Sequence, residues 1–279
     1  MDLDVVVCAK NQASYLDRIL KQIVVEIPHK TLIVVYGSSQ DKTCKVAQKY
    51  ADKTIWDENK GLGAARARGI TEATSEIVAM VDADVILAKG WYEKLSGHFD
   101  KPQVAAVMGT CIYGYGCKPL EAYWEYIRRT EKINYGCQNT LFRREAVLKV
   151  GNFDSTIQGA GEDYDLYRRL QAAGYLWLWK KTASAYHPMT MQDYLRHVSW
   201  WTRGRPYIDE TANWAATTSI LRVYMHQALY ALEALKTAEK LSVKVHPTFL
   251  LYWPTLRINS LMILLRELKK RNIALNVGT

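Results

Sequence analysis

Ile77-Val78-Ala79-Met80-Val81-Asp82-Ala83-Asp84 is the segment from which the architecture of the chain can be worked out. Five apolar residues are too few for a helix of their own and read as a strand buried on both faces, which runs directly into two carboxylates at alternate positions. On an extended strand, residues two apart project to one side, so Asp82 and Asp84 can share a ligand, while Ala83 lets the backbone approach closely. Hard oxygen donors at that spacing suit Mg2+ or Mn2+, cations that keep several waters and bridge to phosphate. The plainer alternative is a strand followed by a turn that is acidic because Asp favours turns.

Outward from this strand the first half alternates strand and helix. Val5 to Cys8 is a strand; Gln12 to Val25 carries Leu16, Ile19, Leu20 and Ile23 near helical spacing; Leu32 to Val35 is a second strand. Gly37-Ser38-Ser39-Gln40-Asp41 turns into a helix over Thr43 to Tyr50, and Lys53 to Trp56 is a short third strand. Gly61-Leu62-Gly63 opens a helix from Ala64 to Thr74, and Glu76 to Val81 is the fourth strand. This order implies an α/β fold with a mostly parallel sheet that binds ligands at the carboxyl ends of its strands. The loops after Cys8, Val35 and Val81 should then meet in one crevice.

Those loops suit a nucleotide. Ser38, Ser39 and Asp41 can hydrogen-bond a base or ribose where a strand ends and a helix begins. The run Gly61 to Arg68 offers mobile backbone around Gly63, a helix N-terminus and two cations, Arg66 and Arg68, as a pyrophosphate requires. Gly-rich turns are also often turns and nothing more, and two arginines two residues apart cannot share one helix face. Past Asp84 the pattern predicts a helix over Trp91 to Phe99, a strand over Val104 to Met108, a Gly/Tyr loop over 109 to 116 and an aromatic, basic helix over Pro119 to Lys132. Gly136 to Glu145 reads as a strand turning into a helix that ends at Val150, and Gly151 to Asp154 as a turn.

A second acidic centre follows in Gly161-Glu162-Asp163-Tyr164-Asp165, at the start of a helix whose Leu166, Tyr167 and Leu170 form one apolar stripe. Acids are favoured at a helix N-terminus by the dipole alone. The functional alternative is that Glu162 or Asp163 faces the crevice and removes a proton from an attacking hydroxyl.

The chain has 279 residues, 37 Lys+Arg against 28 Asp+Glu, and a net charge of +9, which favours anionic partners without choosing among them. Nine Trp and 18 Tyr suit sugars, bases and membrane interfaces alike. Five cysteines, odd in number and without a Cys-x-x-Cys pair, argue against a zinc ribbon or a secreted disulfide framework. Met1 to Val7 has no basic start or long apolar run, so the expected location is cytoplasmic.

These motifs, in this order, resemble family 2 glycosyltransferases of the GT-A fold from about Asp4 to Arg205. The resemblance is carried by the opening strand and helix, Val34 to Thr43, Asn59 to Arg66, Asp82-Ala83-Asp84, Asn139 with Phe142-Arg143-Arg144, Gly151-Asn152-Phe153-Asp154, and Gly161-Glu162-Asp163 with Asp165-Leu166. It implies inverting transfer of a sugar from a nucleotide-diphosphate donor. Asp82 and Asp84 would hold the donor diphosphate through Mn2+ or Mg2+. Asp163 would be the general base, and Glu162 would orient the acceptor or share that role. His187 would add a metal or phosphate contact, and Ala9, Lys10, Gln12, Ser38, Ser39, Gly63, Arg66 and Ala83 would surround the nucleotide. Where the family usually shows Pro-x-x-Asn-Glu, this chain has Ala9-Lys10-Asn11-Gln12, and Tyr36 stands where an Asp is usual. Both changes remove a carboxylate near the base and ribose, so UDP-sugar and GDP-sugar donors stay open, with UDP favoured by family frequency.

Residues 1–212 are expected to form the transferase domain and 213–279 a helical, basic extension, with helices over Leu221 to Leu241 and Leu256 to Leu268 split by Pro247 to Pro254. The extension holds nine Lys/Arg and three Asp/Glu, six of the nine net charges. Covering the acceptor site, pairing of subunits as a homodimer, and peripheral contact with the cytoplasmic membrane face are its three functional readings, with ordinary packing on the catalytic domain the default. A lipid-linked or glycan acceptor suits its charge and aromatics. Trp200 and Trp201 read either as stacking surfaces or as anchors of an amphipathic helix, and Arg203 or Arg205 can reach phosphate. Two rivals remain: a non-catalytic nucleotide-sugar or glycan-binding protein of the same fold, and a sugar nucleotidyltransferase, which normally needs a Gly-rich loop with a Lys near the first strand. The charge surplus lies in an apolar tail, not in a Lys/Arg stripe, so nucleic acid is not the expected partner.

Overall fold

The computed structural model describes residues 2–130, 134–157, 160–194, 196–197, 200–201, 236 and 262. Alternating apolar runs and amphipathic helices build the first half in chain order: β1 (Leu3–Ala9), α1 (Ala13–Glu26), β2 (Thr31–Tyr36), α2 (Thr43–Tyr50), β3 (Lys53–Trp56), α3 (Leu62–Glu72) and β4 (Ile77–Asp82). After these come β5 (Ile86–Leu87), α4 (Trp91–Ser96), β6 (Val104–Tyr115), α5 (Lys118–Thr130), β7 (Asn139–Arg143), α6 (Arg144–Lys149), α7 (Glu162–Ala172) and β8 (Leu176–Pro188). The eight strands form one sheet in the order β3-β2-β1-β4-β7-β6-β8-β5.

β1 lies between β2 and β4, parallel to both, with Val5 opposite Leu32 on one side and Ala79 on the other. Strands covered on both faces have no polar face, and Val5, Val6, Val7, Ile33, Val34, Val78 and Ala79 have no exposed surface. The parallel half predicted from the βαβα order is therefore present. Past β4 the direction changes: β7 runs antiparallel to β4 and β6 antiparallel to β7, so the sheet as a whole is mixed. One core cluster joins Val6, Ile33, Met80 and Phe142 of the sheet to Ile70 of α3 and to Leu166 and Leu170 of α7. α3 packs on β1 and β2, and Gly69 makes that approach feasible, since a Cβ there would stand 2.3 Å from Val6 Cγ1.

Four elements differ from the sequence reading. The strand expected to end at Met108 continues to Tyr115, through the presumed Gly/Tyr loop. Gly109 is not a turn residue; a Cβ would lie 2.4 Å from the Ala183 carbonyl, so its bareness serves close strand approach. β5 and the 13-residue β8 have no counterpart in the sequence reading. α4 ends at Ser96, short of Phe99.

The chain divides into two units, one of Met1–Ile112, Glu131–Gln158 and Glu162–Pro188, the other of Tyr113–Thr130, Gly159–Gly161 and Met189–Thr279. In the second unit Leu120, Met189 and Tyr194 are buried against Tyr113, Cys117, Trp124, Met191 and Trp201. Trp201 meets Tyr113 edge-on at 5.4 Å, which favours the anchoring role for this Trp. The boundary at 212, Arg203, Arg205, the predicted helices 221–241 and 256–268 and the break at 247–254 lie outside the described residues, Lys236 and Met262 excepted. Among the described residues no helix is long and apolar enough to cross a membrane.

Candidate active site

At the carboxyl edge of the parallel strands, side chains of the loops after β1, β2 and β3 are stitched together. The Asn11 amide N–H donates to Ser39 Oγ at 3.0 Å, and the Gln40 N–H donates to Asn11 Oδ1 at 2.8 Å. Asn59 accepts from the Ser38 N–H at 2.8 Å and donates through Nδ2 to Ser38 Oγ at 2.7 Å. The first turn of α1 has no cap of its own; Thr43 Oγ1 accepts from the Gln12 N–H and Asp41 Oδ2 from the Ala13 N–H, both at 2.9 Å. Ser38, Ser39 and Asp41 thus stand where the sequence expected them, with Lys10 exposed and Ala9 buried beside them. Asn11 and Asn59 are the partners that the sequence reading passed over. The signal was available, since Asn tolerates left-handed backbone and both hold positive φ, 53° and 56°.

β4 ends at Asp82, and the Asp82 N–H is held by the Gln138 carbonyl at 3.1 Å. The strand does not carry both acids, as the extended reading required. Val85 N–H donates back to the Asp82 carbonyl at 3.2 Å, which places the buried Ala83 and Asp84 in a turn. The two carboxylates consequently have different neighbours. Gln12 Nε2 donates to Asp84 Oδ2 at 3.0 Å, and His187 Nε2 approaches Asp84 Oδ1 at 3.3 Å. Burial works against a charged His187, but the hydrogen bond and charge of Asp84 outweigh it and leave the imidazole above its usual value.

Arg66 links Asp82 to the second acidic centre. Its guanidinium is 3% exposed, and it donates through Nη2 to Asp82 Oδ1 at 2.8 Å and through Nη1 to Glu162 Oε1. Glu162, at the first position of α7, is 1% exposed. Burial pushes its carboxyl up to about 7; Arg66 pulls the other way, and neighbouring Asp163 adds to the rise. Burial likewise raises Asp163 against the pull of Arg66. Gly63 lets the first turn of α3 lie against this region, because a Cβ would meet the Asp154 carbonyl at 2.7 Å and Glu162 Cβ at 3.4 Å. Arg68, the other expected cation, is not drawn in; it pairs with Glu72 on the surface of α3.

Cys8 stands opposite Asp82 in the β1–β4 register, and burial pushes its thiol up to about 12. Among the described residues no three His, Cys, Asp or Glu side chains cluster as a complete cation cage. The donor set available, two partly exposed carboxylates on one turn with a buried imidazole beside them, is hard-oxygen chemistry that fits a divalent cation sharing its shell with phosphate.

A sequence profile of glycosyl transferase family 2 matches residues 4–155, more than half of the chain, and that of glycosyl transferase family group 2 matches residues 136–266. The chain belongs to glycosyl transferase family 2. It is 29% identical over 194 residues to the pre-mycofactocin glycosyltransferase of Mycobacterium tuberculosis, an overlap of 62% of this chain and 40% of the relative. It is 25% identical, also over 194 residues, to the glucosyl-dolichyl phosphate glucuronosyltransferase of Haloferax volcanii, covering 59% of each. The chain thus spans about half the length of the curated relatives it matches. The fold is similar to that of a mannosyltransferase from Pyrobaculum calidifontis, solved in complex with GDP-Man and Mn2+, with a TM-score of 0.65 and 17% identity over 95% of this chain and 86% of that one. The family 2 chain therefore has the expected GT-A architecture.

Proposed function

We propose that this family 2 chain is a metal-assisted inverting glycosyltransferase that moves a sugar from a nucleoside diphosphate to an acceptor hydroxyl. The observation that carries the reading is the meeting of Asp82 at the end of β4 with the first turn of α7, through Arg66, at the edge where the loops after β1, β2 and β3 converge. Ser38, Ser39 and Gln12 border the nucleotide, and Asp82 and Asp84, with His187 beside them, would hold a divalent cation. Such a cation, when bound, offsets the charge that builds on the departing diphosphate. The Mn2+ and GDP-Man of the Pyrobaculum structure support that assignment by likeness of fold.

Asp163 is the base. Its raised carboxyl is a stronger proton acceptor than an ordinary Asp. It takes the acceptor hydroxyl proton as the acceptor oxygen bonds to the anomeric carbon, and the bond from that carbon to the diphosphate oxygen breaks with its electron pair leaving on the diphosphate. Attack from the face opposite the leaving group inverts the anomeric centre. Glu162 is tied to Arg66, which suits a supporting role better than acceptor contact. The acceptor class proposed is a lipid-linked or glycan hydroxyl, supported by the lipid-phosphate sugar named for the Haloferax relative and by the basic, aromatic composition of 213–279.

Thermal unfolding against UDP, GDP, CMP and their sugar conjugates, each with and without Mn2+, tests the donor side. Ligand at 100 times its dissociation constant adds about 2.7 kcal/mol of stability. Metal-dependent stabilisation by one nucleotide is expected, and Asp163→Asn should keep it while losing transfer by roughly 10²–10⁴-fold. Unchanged transfer in Asp163→Asn would remove the base assignment, and no stabilisation by any nucleotide would remove the donor assignment.

A further inference from the structure

Arg66 is the cation that the Gly61–Arg68 turn would aim at a pyrophosphate. Its surroundings give it a different task. The side chain is buried, and its two terminal nitrogens are already matched by two carboxylates on different elements, Asp82 of β4 and Glu162 of α7. Its Nε and the far Glu162 oxygen, Oε2, are both buried and find no hydrogen-bond partner among the described residues, so the bridge closes on one oxygen of each acid. A phosphate reaching this guanidinium would have to displace a buried ion pair, whose separation leaves a charge uncompensated. By holding Asp82 Oδ1, Arg66 instead fixes the rotamer of a carboxylate whose side chain keeps 29% of its surface exposed.

We infer that Arg66 is a positioning residue that locks the cation-holding carboxylate of Asp82 to the helix bearing Asp163, and that it makes no contact with the donor phosphates. The inference rests on the glycosyltransferase reading. A planar fork can span two carboxylates with separate nitrogens, whereas a lysine ammonium is a point charge that serves one geometry at a time. Arg66→Lys therefore keeps the charge and loses the bridge.

The test is calorimetric titration of the full chain with UDP and with GDP, each with and without Mn2+, on wild type, Arg66→Lys, Asp82→Ala and the double variant. The quantity read is the ratio of nucleotide affinities with and without Mn2+. In Arg66→Lys the metal-free affinity should stay within about twofold of wild type, while the Mn2+ enhancement falls about tenfold or more. Asp82→Ala should lose the same enhancement, and the double variant should be no worse than Asp82→Ala alone, as for two residues acting through one contact. A tenfold loss of metal-free affinity in Arg66→Lys would mean phosphate contact and overturn the inference, as would an unchanged enhancement. If Arg66→Lys does not fold, Glu162→Gln removes the charge at the other end of the bridge while keeping its shape; a reduced enhancement supports the inference and an unchanged one overturns it. A wild type that binds nucleotide without regard to Mn2+ overturns the inference alone. A wild type that binds neither nucleotide under any condition overturns the glycosyltransferase reading with it.

Discussion

Alanine at position 63 would put one methyl group where the first turn of α3 meets the backbone ahead of α7. The added Cβ would stand 2.7 Å from the Asp154 carbonyl, against the 3.4 Å at which ordinary contact begins, a shortfall of about 0.7 Å. A backbone carbonyl cannot rotate away, so the start of α3 must move. Overpacking of this kind costs about 1–3 kcal/mol, and the better helix propensity of Ala returns up to about 1 kcal/mol. The net loss lies between about 0 and 3 kcal/mol, and its midpoint of about 1.5 kcal/mol corresponds to a fall in Tm of about 3–6 °C for a domain of this size. Arg66 lies one turn further along the same helix, so the 2.8 Å bond to Asp82 would stretch towards 3.5 Å, beyond the useful range. Transfer should fall at least about tenfold, since misplacements near 1 Å cost about 10²-fold. The control is Gly97→Ala, where a Cβ meets nothing within 4 Å and φ is −68°; it should be neutral or stabilising by up to about 1 kcal/mol. Thermal melts of both variants, paired with transfer assays, check the reasoning. A Gly63→Ala protein that melts with Gly97→Ala and keeps full transfer would refute it.

Asp4, wholly buried, accepts from the Thr74 N–H at 2.7 Å, the Ser75 N–H at 2.9 Å and Ser75 Oγ at 2.8 Å. Asp4→Ala strands two N–H donors at about 1–3 kcal/mol each, so urea titration should show a loss of about 2–6 kcal/mol. Burial pushes the Asp4 carboxyl up, but those hydrogen bonds outweigh it and hold it below its ordinary value. Its stabilisation is therefore complete above the unfolded value of about 3.9 and is lost as pH falls through the lower folded value; acid unfolding of Asp4→Asn should lack that part of the slope. Cys8, half-buried, has its thiol pushed up to about 12, and Cys137, fully buried, has its thiol raised well above its usual value. Iodoacetamide at pH 8 should leave both unmodified in the native protein and label both in denaturant, as read by peptide mass; native labelling of either would contradict the raised thiols.

The first half of the fold was legible because each element there obeys one period. Thr43–Tyr50 and Lys53–Trp56 fall where the pattern put them, and β1, β2 and β4 differ from it by a residue or two. β8 escaped because Leu176 to Lys181 alternates neither cleanly nor by apolar content, with Trp177 buried while Lys180 and Lys181 are only half covered. Gly109 misled because a glycine needed for close approach looks in sequence like one needed for a turn. The acids of the site could be named from local pattern. Their wiring could not, because Arg66 and Glu162 are 96 residues apart and nothing local records the pairing. Of the strand-end acids Asp82 ends β4 as the sequence implies, and Asp84 alone leaves the extended reading for the alternative one, reaching its partners from a turn, where Asp is locally favoured.

The stitched rim formed by Asn11, Ser38, Ser39 and Asn59 has a consequence for protein engineering. Each hydrogen bond joins residues from different loops, 21 to 29 positions apart. A loop taken from a relative to alter donor choice would arrive without the partner it was selected against, and would leave an amide or hydroxyl of the neighbouring loop unanswered. Grafts that exchange all three loops together preserve the pairing, whereas single-loop chimeras add floppiness that a ligand must then freeze out on binding. The rim of this chain is therefore portable only as a block of three connections.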